Sequence, residues 1–68
     1  MRLRNRWTFG DYIRLLGLSE REFARHAGLS HSTVNHLLTG RRTSCSPRTA
    51  QAIESALECP PGLLFESG

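Results

Sequence analysis

The stretch from Glu20 to Gly40, EREFARHAGLSHSTVNHLLTG, limits the folds open to this chain more than any other. Its spacing predicts two short helices that cross at close range. The small Ala24 lies at the crossing, and Val34 and Leu37 point inward from the second helix. Ser19 and Glu22, three residues apart, form a capping-box start for the first helix. Gly28 supplies the turn, most simply in a left-handed conformation that costs other residues energy. Ser30 caps the second helix and Gly40 closes it. Phe23, Ala24 and Ala27 make the inner face of the first helix. Leu29, Val34, Leu37 and Leu38 make that of the turn and the second. This is the layout of a helix-turn-helix.

The flanking segments read as support. Thr8 and Asp11 predict the start of an earlier helix, with Phe9, Ile13 and Leu16 on one face and Tyr12 beside them. Gly17 stops it, and Leu18 plugs the core between helices. Residues 40–46, GRRTSCS, are a polar loop. Ser46-Pro47 then opens a further helix, a Ser cap followed by a proline at the first helical position. It runs to about Leu57 with Ala50, Ile53 and Leu57 inward. Pro60-Pro61-Gly62 ends it, and Pro61 can open a short fifth turn through Leu63, Leu64 and Phe65. Residues 1–7, MRLRNRW, form a basic arm, with Trp7 packed on the first helix. The arm alternates with period two, as a strand does, but no partner strand is evident within the chain. A solvated terminus, a strand shared with a second subunit and an extended basic arm all remain open. The expected architecture is all-α: a compact bundle of four to five short helices over residues 8–66, preceded by the arm.

Composition narrows the partners. The 68 residues suffice for one small domain. Nine basic residues, all Arg, outweigh six acidic ones, for a net charge of +3. Such a chain attracts polyanions, and the planar guanidinium fork suits phosphate and guanine. No apolar run is long enough to span a membrane, and no secretory signal is evident. Cys45 and Cys59 read as reduced thiols of a cytoplasmic protein. Together with His26, His31 and His36 they lack the close pairs of a zinc site. No catalytic constellation, metal site, cofactor or small-molecule substrate is expected.

The segments LSEREFARHAGLSHSTVNHLLTGRR, SPRTAQAIESAL and PPGLLF together resemble the lambda-type repressor and Cro family, the xenobiotic-response-element class of bacterial and phage regulators. The resemblance covers about Thr8 to Phe65. It implies a lambda repressor-like helical domain that binds operator DNA, usually as a dimer, with its second motif helix in the major groove. It also implies a cytoplasmic, nucleoid-associated transcription regulator, a repressor by preference.

Carried onto this chain, the resemblance implies base reading by His31, Ser32, Asn35 and His36 from the exposed face of the recognition helix. Asn matches the N6/N7 edge of adenine. Arg21, Ser30, Thr33, Arg41, Arg42, Thr43, Ser44 and Arg48 are the expected DNA-backbone contacts. Arg2, Arg4 and Arg6 are possible arm contacts. Leu63, Leu64 and Phe65 fold back on the core, form a possible dimer contact, or both, with Leu64 or Phe65 partly exposed. A dimer implies a pseudo-palindromic site with half-sites about 10 bp apart. The chain departs from the family at Glu20, where Gln is usual. A carboxylate there is repelled by phosphate, and pairing with a nearby Arg or with the helix N-terminus is the expected alternative.

The competing reading is a protein-interaction module of a regulator or antitoxin, built on the same helices. Such a surface calls for aromatic or Met anchors on the exposed helix face, and His31–Asn35 carries none.

Overall fold

A computed structural model describes residues 1–67. Four helices form the body: α1 (Arg6–Leu15), α2 (Glu20–Ala27), α3 (His31–Thr39) and α4 (Pro47–Leu57). Two short strands, β1 (Arg2–Leu3) and β2 (Phe65–Glu66), complete it.

Each helix start has a local cause. Ser19 accepts from the Glu22 amide at 3.1 Å while the Glu22 carboxylate accepts from the Ser19 amide at 2.9 Å, the reciprocal capping box read in the sequence. Ser30 and Ser46 cap α3 and α4 by accepting from the amides of Thr33 and Thr49, one half of the same arrangement. Helix α1 starts a turn-fraction earlier than expected. Asn5, not Thr8, is its cap, accepting from the amides of Trp7 and Thr8 at 2.9 and 3.2 Å. Asn ranks at or above Thr as a cap, so the earlier residue takes the role.

Helix α2 packs on α3 and α4, and α1 on α3. The core takes Phe9 and Ile13 from α1, Phe23 and Ala24 from α2, Val34 and Leu37 from α3, and Ala50, Ile53 and Leu57 from α4. Phe9 and Phe23 meet edge to face with ring centroids 5.7 Å apart, a favoured geometry for aromatic pairs. Two expected core positions lie elsewhere. Leu16 is the C-cap of α1 and is exposed. Trp7 is 68% exposed, with the Arg6 guanidinium over its ring rather than the helix beneath it.

The N-terminus corrects the sequence reading most. Residues 1–7 are not a free arm, and β1 does have a partner within the chain. It pairs antiparallel with β2, Arg2 opposite Glu66 and Leu3 opposite Phe65. On the other side, the Leu3 amide donates to the Thr43 carbonyl at 2.9 Å and the Cys45 amide to the Met1 carbonyl at 2.9 Å. The Met1 ammonium donates to the Cys45 carbonyl at 3.0 Å. The loop 43–45 thus serves as a third edge, bridged at Arg2 and Ser44. Leu3 is thereby buried in the core.

The chain's other end is corrected with it. Residues 63–65 do not form a fifth helical turn. Leu64 and Phe65 are 1% and 0% exposed, part of the core, so they offer no surface to a second copy; only Leu63 is exposed. No helix among the described residues is long and apolar enough to cross a membrane.

Candidate nucleic-acid interface

The turn between α2 and α3 sets the geometry. Gly28 adopts φ +74°, ψ +29°, the left-handed conformation the sequence called for, and its amide closes onto the end of α2. The chain then passes through Leu29, whose amide donates to the Ala24 carbonyl at 2.8 Å, into the Ser30 cap. With Val34 and Leu37 buried below, α3 turns His31 and Ser32 to solvent, with Asn35 and His36 half-buried beside them.

Glu20, the first residue of α2, stands against this polar face. Its Oε1 accepts from Asn35 Nδ2 at 3.0 Å and lies 3.7 Å from His31 Nε2. Of the two expected alternatives, Glu20 takes the helix N-terminus, lying in the first turn of α2, and its side-chain partners are two residues of α3 rather than an Arg. That link was missed in the sequence. Its only signal was that the first residue of one motif helix must face the other across a close crossing.

The residues expected at the DNA backbone divide into two groups. Arg41 and Arg42 are fastened to the end of α3. The Arg42 amide donates to the His36 carbonyl at 3.0 Å, and the Arg41 guanidinium lies 3.4 Å from His36 Nε2. That second contact needs a neutral ring with Nε2 as acceptor, because guanidinium only donates. Among the described residues, no carboxylate lies within ion-pair distance of Arg21, Arg25, Arg41, Arg42 or Arg48. All five are exposed. Ser30 and Thr33 spend their hydroxyls on each other, 2.8 Å apart. Thr43 and Ser44 lie in the edge that holds β1.

The arm arginines are already engaged. Arg2 and Arg4 both pair with Glu66 at 3.1 Å, and Arg4 Nε also donates to the Gly62 carbonyl. Arg6 donates to the Thr39 carbonyl at the end of α3. Nothing in the sequence marks that contact, since the two residues are 33 positions apart.

A helix-turn-helix family model matches residues 11–64, from the middle of α1 to the turn before β2. The chain belongs to the lambda-repressor-type helix-turn-helix family. Neither the curated proteins nor the solved structures compared with it give a match. Membership makes this a DNA-binding helix-turn-helix domain of the regulator type, and α2–Gly28–α3 is its motif.

Three further groups deviate from ordinary titration. The Ser19 backbone and hydroxyl hydrogen bonds hold the Glu22 carboxyl below the usual range. Burial pushes the thiols of Cys45 and Cys59 above theirs. Among the described residues, no cluster of three His, Cys, Asp or Glu is placed to hold a metal ion.

Proposed function

We propose that this chain is a sequence-specific DNA-binding transcription regulator, a repressor by preference, that reads the major groove with α3. One observation carries the reading: the polar N-terminal half of α3 stands exposed, and exposed arginines without carboxylate partners stand before and after it in the motif. A phosphate backbone supplies the counter-charges those arginines lack.

In this reading Ser32, Asn35 and His31 meet base edges, with His36 reaching them only if it leaves Arg41. Arg21, Arg41, Arg42 and Arg48 meet phosphates, joined by the exposed Ser30, Thr43 and Ser44 and the half-buried Thr33. Arg2, Arg4 and Arg6 contribute to the general positive field. The bound form is a homodimer on a pseudo-palindromic operator, with Leu63 the C-terminal side chain still available to a second copy. The protein acts in the cytoplasm, at the nucleoid, without a small-molecule substrate.

The test is selection of bound sequences from a random DNA pool, followed by affinity against salt on the winner and on a scrambled control. Enrichment of a palindrome bound about 10³-fold or more above the control supports the reading. No enrichment, with weak and steeply salt-dependent binding, refutes it and favours a protein partner for the same helices.

A further inference from the structure

Glu20 is the one acidic side chain that touches the polar face of α3 among the described residues. An ionised carboxylate only accepts hydrogen bonds, so the group that approaches it at 3.0 Å must be the NH₂ of Asn35 and not its carbonyl oxygen. A Gln at position 20 would impose no such choice, since its amide can donate or accept and suits Asn35 in either orientation.

We infer that Glu20 is a positioning residue for specificity: it fixes the orientation of the Asn35 amide and so restricts the base Asn35 selects. The inference rests on the DNA-reading function proposed above. With one amide hydrogen held by Glu20, Asn35 keeps its Oδ1 and its second hydrogen for the groove. An acceptor beside a donor is the complement of adenine, which offers N6–H₂ and N7. Guanine offers two acceptors, and thymine an acceptor and a methyl group, so the fixed amide disfavours both. The carboxylate carries a cost, because it stands where phosphate is near. His31, 3.7 Å from the same oxygen, offsets that charge whenever its ring is protonated. The other charged groups around Glu20 are Arg14 and Arg6 of α1, which line the same surface cleft, and the neighbouring Arg21.

The test has two arms. In the free protein, the side-chain NH₂ resonances of Asn35 are followed by NMR while the pH is lowered through the carboxylate range, in the parent and in Glu20→Gln. Movement in the parent that is absent in Glu20→Gln is expected; no movement in the parent overturns the link. In the second arm, sequences are selected from a random pool with the parent, Glu20→Gln, Asn35→Ala and the double variant. Asn35→Ala identifies the position that Asn35 reads. The parent should prefer adenine there, and Glu20→Gln should reduce that preference by about tenfold or more while sparing the other positions. In the Asn35→Ala background, Glu20→Gln should change nothing further at that position.

An unchanged preference in Glu20→Gln, or an equal change with and without Asn35, overturns the inference while leaving the DNA-binding function standing. A parent that enriches no sequence overturns the DNA-reading function, and the inference falls with it. Circular-dichroism melting of each variant controls for folding, and Glu20→Asp, which keeps the charge but shortens the reach by one methylene, should relax the preference as Glu20→Gln does.

Discussion

The Arg6 guanidinium occupies the space that a side chain at Gly40 would need, and from there it donates to the carbonyl of Thr39. Gly40 also adopts φ +81°, where any Cβ is strained. The contact ties the start of α1 to the end of α3. Gly40→Ala should destabilise the domain by about 1–2 kcal/mol from the backbone alone, and more as Arg6 is displaced. Arg6→Ala should cost about 1 kcal/mol. Urea unfolding of the two variants and the double variant measures both. Strictly additive losses would show that the two residues do not share the site.

Leu3 tests the corrected N-terminus. Its side chain is 9% exposed and belongs to the core cluster. Leu3→Ala should lose about 2–3 kcal/mol, the ordinary cost of truncating a buried leucine. A solvated arm would lose almost nothing, so a melting curve like the parent's would return β1 to solvent.

The α2 cap should leave a signature in acid. Because the folded state holds the Glu22 carboxyl below the usual range, its contribution is present above the unfolded carboxylate range and is lost as pH falls through the lowered folded value. The parent should therefore melt above Glu22→Gln at neutral pH, and the two curves should converge in acid. A constant gap across that range would assign the difference to something other than the charge.

Salt dependence should sort the arginines. Arg41→Ala should weaken binding to all DNA similarly and reduce the slope of log affinity against log salt by about 1. Arg2→Ala, whose charge is already answered by Glu66, should leave that slope nearly unchanged. Equal slopes for the two variants would place the DNA differently.

Glu58 is the one non-glycine residue with positive φ among the described residues, at +55° on the C-cap of α4. Glu58→Gly should raise stability by about 0.5–1 kcal/mol, the relief of left-handed strain less the added freedom of the unfolded glycine. A drop in the denaturant midpoint would show that the Glu58 side chain contributes more than its backbone costs.

The parts of this fold that were legible in the sequence are those with local causes. Ser19, Gly28, Ser30, Gly40 and Ser46-Pro47 each determine a boundary within three residues of themselves, and helix periodicity placed Phe23, Ala24, Val34, Leu37 and Ile53 inward. The paired ends were not legible. The alternation of residues 1–7 suggested a strand, but β2, two residues long, shows no period that would mark it as the partner, and Leu3 finds Phe65 across nearly the whole chain. Leu64 and Phe65 read as either a contact patch or core, and the pairing of β1 with β2 puts both in the core. The polar face of α3 followed from its buried face. The Glu20–Asn35 bond did not, because it depends on how two helices cross.

The pairing of Leu3 with Phe65 also bears on how the chain is made. Strand β1 is made before all four helices of the domain, and its partner β2 only after them. Until Phe65 is made, Leu3 lacks its partner, and the α1–α4 core stays open on the side that Leu64 and Phe65 close. Closing so long a loop costs entropy that only the completed core returns. The core should therefore close only once Phe65 is present, and a chain stalled before Leu64 should be more sensitive to protease than the complete domain.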